Sequence, residues 1–329
     1  MISIALLGAG RIGQIHGRNI AASGRARLAA IADPLPENAE KLAQATGAPG
    51  RAADEIFADP AVDAVLIATP TDTHADLIEQ AAEAGKAVLC EKPVDMSADR
   101  IRQTLARVKK AGVPLMIGFN RRFDPNFAAL RRRLEEGAAG EVELVTILSR
   151  DPAPPPVAYI QRSGGLFRDM MIHDLDMARF LLGEEVVEVQ AMGSALVDPM
   201  IGEAGDVDTA VVMLKTASGK LCQISNSRRA TYGYDQRIEV HGSEGMLSAG
   251  NMHETTVRFA NAQGITADPV QNFFLERYAD AYRRELDAFI DVVEKGASPS
   301  PDGEDGLKAQ ILADAATEAC FSGRPARLA

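Results

Sequence analysis

Gly8-Ala9-Gly10-Arg11-Ile12-Gly13 is the feature that most narrows what this chain can become. It follows the strand-like run Ile2-Ser3-Ile4-Ala5-Leu6-Leu7 and opens a helical pattern. In that context glycines make a tight turn, admit a pyrophosphate and let helix and strand pack closely. A glycine-rich turn alone is a weak signal. Asp33 strengthens it: it ends the next strand-like run, twenty positions after Gly13, where an acid accepts hydrogen bonds from an adenosine ribose. The other reading of Asp33-Pro34 is a plain turn start. The spacing favours the ribose, and a carboxylate there repels a 2′-phosphate, so NAD is the expected cofactor rather than NADP. Arg11 can soften that preference by reaching a phosphate.

From Ile2 to about Gly118, short apolar runs alternate with helical patterns, the rhythm of a parallel sheet covered on both faces. The expected strands are Ile2 to Leu7, Leu28 to Ala32, Ala64 to Ala68, Ala87 to Cys90 and Leu115 to Gly118. Helices are expected over Pro36 to Thr46, Asp72 to Ala84 and Ser97 to Ala111, with Ser97 as an N-cap. After Asn120 the rhythm changes. A basic helix to Glu136 precedes strand-like Glu141 to Ser149 and a proline-rich loop, Pro152 to Pro156. Val186 to Leu196, Asp208 to Lys215, Lys220 to Ser227, Tyr234 to Gly242, Gly245 to Ala249 and Thr255 to Ala260 then follow without intervening helices, which implies antiparallel pairing. Two long helices, Phe273 to Lys295 and Glu304 to Phe321, close the chain.

The 329 residues are thus expected to form two domains, each with its own core. Residues 1–120 read as an α/β, doubly wound parallel sheet, and residues 121–329 as a second α/β domain with a large open, mainly antiparallel sheet. Its open face is a natural surface for a homo-oligomer.

A formal charge of −11 argues against nucleic acid or an anionic membrane as partner, since both repel such a surface. No run is apolar and long enough to span a bilayer, and the start carries no cleavable leader pattern, so a cytoplasmic location is expected. Cys90, Cys222 and Cys320 lack metal-ligand spacing, which indicates neither a disulfide framework nor a metal site. A small-molecule substrate remains.

Glu91-Lys92-Pro93 places a cation just past the fourth expected strand, where cofactor and substrate meet in such a sheet. Glu91 and Lys92 are therefore expected beside the cofactor, and Pro93 makes a cis peptide possible. Thr69, Pro70 and His74 follow the third strand, where they can line the nicotinamide ribose or merely start a helix. Farther on, Asp169, His173 and Asp176 recur at helical spacing opposite the apolar stripe Met171, Leu175, Ala178 and Leu182. An Asp four residues before a His is often an ordinary surface pair. Alcohol oxidation, however, needs a base for the hydroxyl proton, and imidazole suits that task near neutral pH. His173 is the expected base, Asp169 its orienting partner, and Lys92 the stabiliser of alkoxide character. Asp176 can bind another substrate hydroxyl. Arg121 and Arg122 can bind substrate or cap a helix, and Tyr232 lies in a donor-rich segment that is either a ligand contact or a hairpin turn.

Together these motifs resemble the glucose-fructose oxidoreductase and inositol dehydrogenase (Gfo/Idh/MocA) family over the whole chain. Glu91-Lys92-Pro93, Asp169 to His173, Ser225 to Ala230, Tyr232 to Val240 and Phe273 to Tyr278 look most like its myo-inositol 2-dehydrogenase branch. The resemblance implies an N-terminal Rossmann domain and a C-terminal α/β domain with an open sheet. It implies Lys92, Asp169 and His173 as the catalytic set, and Arg121, Asp176 and Tyr232 as polyol contacts. It further implies NAD-dependent oxidation of myo-inositol to scyllo-inosose by a homotetramer. Another inositol isomer, a sugar, or a non-catalytic NAD-binding regulator are the alternatives.

Overall fold

A computed structural model describes residues 1–328, and within it the chain forms two compact units. The first comprises Met1–Phe123 with Ala281–Gln310; the second comprises Asp124–Asp280 with the chain from Ile311 onward. The expected division after residue 120 is continuous in sequence, whereas the observed one is not. The reason is apolar. Leu286, Phe289 and Ile290 of helix Ala279–Lys295 share one buried cluster with Ile4, Leu6 and Leu66 near the start of the chain.

The first unit carries five strands, β1 Ile2–Leu7, β2 Ala26–Ala32, β3 Ala64–Ile67, β4 Ala87–Glu91 and β5 Leu115–Gly118. All pairs are parallel, and the order is β2-β1-β3-β4-β5. Strands β1, β3 and β5 are buried at every position, as a sheet covered on both faces requires. From β1 the chain steps to one side for β2 and to the other for β3. That reversal opens a crevice at the carboxyl ends of β1 and β3, the place where doubly wound sheets bind ligands.

Local chemistry explains most helix borders here. Ser97 accepts from the Arg100 N–H and caps Ala98–Ala111, as its sequence position predicts. The helix expected from Asp72 begins instead at His74, because Thr71–Thr73 form a tighter 3₁₀ turn pinned by the Thr73 hydroxyl donating to the Pro70 carbonyl. A short helix at Ala53–Ala58, too brief to show a period, was not foreseen.

The second unit holds β6 Val142–Arg150, β7 Val186–Ser194, β8 Thr209–Thr216, β9 Leu221–Ser227, β10 Asp235–Gly242 and β11 Gly245–Ala249. A separate hairpin pairs β12 Arg258–Asn261 with β13 Gly264–Ala267, and β14 Ala326–Arg327 joins the large sheet at its edge. The sheet order is β11-β10-β6-β9-β8-β7-β14, antiparallel throughout except for the β6–β9 pair. Burial alternates strictly along β8: Ala210, Val212 and Leu214 face the core, while Val211 and Met213 face outward with Met192 and Leu221. One sheet face is therefore packed and the other open.

Two expectations in this unit need correction. Thr255 to Ala260 is not a strand of the large sheet; the strand there begins at Arg258 and pairs only with β13. Phe273 to Lys295 is not one helix. It breaks at Tyr278 into Phe274–Arg277 and Ala279–Lys295. At the break Tyr278 is buried edge-on to Tyr234, and Arg277 beside it pairs with the buried Asp124.

Candidate active site

In the first unit the glycine turn forms the expected cradle. Gly8 has φ +91°, and a Cβ there would come within 2.6 Å of the Ala68 carbonyl, so only glycine lets β1 and the end of β3 approach this closely. A Cβ on Gly10 would meet nothing within 4 Å, which leaves that side of the turn open to a ligand. Gly10 is also the N-cap of helix Arg11–Ala22 and offers no side-chain acceptor to its first turn. These N–H groups and the helix dipole suit a pyrophosphate. The residues present therefore fit a dinucleotide.

Asp33 makes the contacts of the turn reading of its sequence position. Its Oδ2 accepts from the Ala9 N–H at 2.6 Å, tying β2 to the glycine turn, and its Oδ1 accepts from the Leu35 N–H at 2.8 Å as a turn-starting Asp does. The Asn38 side-chain amide adds a longer bond to Oδ1 at 3.3 Å, and since a carboxylate has about four acceptor positions, capacity remains for a ribose hydroxyl. Beside it a cleft of about 410 Å³ is lined by Ile31, Pro36, Ala39, Glu40 and Arg51. Arg51 is engaged by Asp59 at 2.6 Å, and Glu40 adds negative charge, so the cleft holds little to welcome a 2′-phosphate. Asp33→Ala is expected to lower kcat/KM for NAD by about 10- to 100-fold, the worth of charge-assisted hydrogen bonds, and to raise NADP use relative to NAD. An unchanged NAD/NADP ratio in steady-state assays would refute this assignment.

Lys92 stands half-buried just past β4, and its peptide with Pro93 is cis. Its two neighbours are held from different directions. The Glu91 carboxylate lies 2.7 Å from Nε2 of the buried His16, and the Pro93 carbonyl lies 2.8 Å from Nδ1 of His74. Nε2 of His74 lies 2.8 Å from the Thr69 carbonyl. Burial lowers the His74 pKa and favours neutral imidazole despite the two carbonyls. Thus both His74 ring nitrogens face backbone carbonyls, one in the loop after β3 and one in the lysine turn, and the nitrogen that carries the proton donates to its carbonyl. The Thr69 and Thr73 hydroxyls lie 2.7 Å apart in the same loop, next to Pro70. Arg121 and Arg122, in the 3₁₀ turn after β5, are both buried, and Arg122 pairs with Asp305 at 3.0 Å. The structure thus assigns Arg122 to holding the unit together rather than to a solvated helix cap.

In the second unit Asp169 and His173 lie on consecutive segments, a wide π-helical turn Leu166–Met171 and the α-helix Ile172–Leu182. The even helical period expected for this stretch is therefore interrupted at Asp169. Such wide turns redirect side chains and recur at functional sites. Asp169 accepts from the Tyr159 hydroxyl at 3.1 Å and faces the Arg228 guanidinium at 3.5 Å. Both Asp169 and His173 are half-buried, whereas Asp176 is buried along with Met171, Leu175, Ala178 and Leu182. Tyr232 is about half exposed, with its hydroxyl donating to Asp235 at 2.7 Å.

Several residues here escaped the sequence reading. Asp174 is fully buried beside His173 and accepts from the Ser149 hydroxyl at 2.5 Å and the Asn226 amide at 2.9 Å. The Gln236 side-chain amide lies 2.8 Å from that same hydroxyl. One carboxylate therefore fastens the His173 helix to β6 and β9, with β10 joined through Ser149. Asp206 accepts from the Leu166 N–H at 3.0 Å at the start of the π turn, and burial raises its pKa. Arg228 stood in the donor-rich segment, but its burial, at 1 % exposure, was not foreseen.

These features define an NAD-binding domain, and the class of the protein is that of the nicotinamide-dependent oxidoreductases. The chain belongs to the GFO/IDH/MocA oxidoreductase family: residues 2–119 match its NAD-binding Rossmann-fold domain and residues 127–248 its C-terminal domain. It is 54% identical over 328 residues to an inositol 2-dehydrogenase of Rhizobium meliloti (strain 1021), covering 100% of this chain and 99% of that one. The crystal structure of a myo-inositol dehydrogenase from Corynebacterium glutamicum superposes with a TM-score of 0.96 at 47% identity, covering 100% of this chain and 99% of the other. A scyllo-inositol dehydrogenase from Lactobacillus casei, crystallised with NAD(H) and scyllo-inositol, superposes with a TM-score of 0.93 at 29% identity, covering 99% of each chain. Among the described residues no helix is long and apolar enough to cross a membrane.

Proposed function

We propose that this chain oxidises a ring secondary alcohol of a cyclic polyol, converting myo-inositol to scyllo-inosose. The observation that carries the reading is full-length likeness to inositol dehydrogenases, in a chain with Lys92 at a strand's carboxyl end and a half-buried His173 on a helix. Bound NAD supplies the hydride acceptor. His173 takes the hydroxyl proton as general base, and Asp169 orients its imidazole and favours the charged form that results. Lys92 stabilises the alkoxide character that develops on the same oxygen. Arg121, Asp176 and Tyr232 hold the remaining ring hydroxyls. Thr69 and Pro70 stand beside the nicotinamide ribose, with Glu91 behind Lys92.

The exposed apolar positions Met192, Val211, Met213 and Leu221 on the open sheet face support assembly with further copies, and a cytoplasmic homotetramer is the form proposed. The likeness to a scyllo-inositol enzyme gives a second reading within the class, oxidation of another isomer. A panel of myo-, scyllo- and chiro-inositol with glucose and other sugars, assayed for NAD reduction, separates these. Fastest turnover with myo-inositol and scyllo-inosose as product is the expected result. Preference for another isomer or a sugar would replace the substrate, and no reduction with any of them would leave a non-catalytic NAD-binding regulator.

A further inference from the structure

Glu285 is a fully buried acid in the first unit, and neither of its carboxyl oxygens has a hydrogen-bond partner among the described residues. It lies on helix Ala279–Lys295, between the core residues Ala281 and Leu286, where an apolar side chain would be at home. An isolated buried carboxylate is costly enough that such a group keeps its proton instead. Burial first, then the nearby Glu91, pushes Glu285 well above the usual carboxylate range. A carboxyl group held this way keeps its proton more readily and, so protonated, can act as a donor.

What it faces gives that proton a role. Oxygens of Glu91 and Glu285 and a ring nitrogen of His16 all lie within 4.8 Å of one another. His16 comes from the helix that opens at the glycine turn, Glu91 from the end of β4 and Glu285 from the returning helix. A fourth element closes the nest: a Cβ on Gly118 of β5 would lie 3.1 Å from both the Cα and the Oε2 of Glu91. Tyr282, one turn from Glu285, stands edge-on to the His16 ring at 5.3 Å. The Glu91 side chain, 13 % exposed, is thus flanked by groups from several elements of this unit, and the next residue is Lys92.

A divalent ion is the other occupant such donors suggest, and the geometry disfavours it. Two ligands on one tetrahedral ion, each about 2.0–2.2 Å from it, stand about 3.3 Å apart. His16 Nε2 and Glu91 Oε1 are 2.7 Å apart, a hydrogen-bond separation.

We propose that Glu285 is a positioning residue for Lys92: with His16 it forms a proton-holding triad around Glu91, fixing the turn that carries the lysine. The triad also ties that turn to the helix whose first residues form the dinucleotide cradle, so cofactor and lysine are set by one rigid group. This rests on the role assigned to Lys92 above.

Three variants of the full-length enzyme test it. Glu285→Gln keeps the shape and a neutral donor, and kcat is expected to stay within about threefold of the parent. Glu285→Leu fills the space without a donor, and kcat is expected to fall by about 10- to 100-fold with the affinity for NAD little changed, the usual effect of a misplaced catalytic group. Infrared spectra of the NAD-bound enzyme should contain the carbonyl stretch of a protonated carboxylic acid that is absent from Glu285→Gln. That readout is independent of activity and decides the matter even where Glu285→Leu does not fold. Parent-like turnover in Glu285→Leu, equal damage in folded Glu285→Gln, the same infrared band in both proteins, or an equimolar divalent metal in the purified enzyme would each overturn the proposal. Lys92→Ala assayed in parallel separates the readings: undiminished turnover there removes the role of Lys92, whereas the infrared result still reports whether Glu285 holds a proton.

Discussion

Replacing Lys92 with alanine is expected to lower kcat by about 100- to 1000-fold, the loss seen when a preorganised donor to a developing oxyanion is removed. Affinity for NAD should change little, because the glycine cradle and Asp33 are distant in sequence and supported by their own hydrogen bonds. The expectation follows from how firmly the lysine's neighbours are placed. Glu91 lies against His16 on one side and the Pro93 carbonyl against His74 on the other, so the backbone that carries the lysine is fixed on both sides. Titration with NAD by fluorescence, alongside steady-state kinetics, separates binding from turnover. A variant that loses NAD affinity and turnover together would place Lys92 in cofactor binding instead.

Replacing His173 with alanine is expected to lower kcat/KM by about 100- to 10,000-fold, the range for loss of a positioned general base. The shape of the pH dependence matters as much as the size. The parent enzyme is expected to lose activity on the acidic side as its base becomes protonated, and in His173→Ala that limb should flatten, leaving a rate that follows hydroxide. The helix should survive the change, because Asp174 fastens it to neighbouring strands through Ser149 and Asn226. An acidic limb that persists unchanged in a folded His173→Ala would assign the base to another group.

The parts of this site that could be read in the sequence are those whose contacts are local or periodic. Gly8 to Gly13 and Asp33 belong to one strand-turn-helix-strand unit, so their spacing encodes their meeting. The five parallel strands were legible because each is a short apolar run between helical patterns. Asp169 and His173 were found by helical spacing, yet the π turn at Leu166–Met171 was invisible, since nothing in a 3.6-residue period announces an inserted residue. Ser149, Asp174, Asn226 and Gln236 meet only through the register of β6, β9 and β10, which long-range pairing sets. Glu285 did leave a trace. It interrupts the apolar stripe of Ala281, Tyr282, Leu286 and Phe289, and an acid in such a stripe signals a partner that the chain must supply from elsewhere.

The return of helix Ala279–Lys295 to the first unit also constrains how the protein is made. Burying Leu286, Phe289 and Ile290 contributes about 1.5–3 kcal/mol each, a sum comparable with the whole net stability of an ordinary domain. Domains usually fold in the order they leave the ribosome. Here the dinucleotide unit cannot complete its core until the ribosome has released the chain through its last elements, which lie within Ala281–Gln310. A nascent chain arrested before that helix carries every glycine of the cofactor turn and still lacks part of the core that holds it in place.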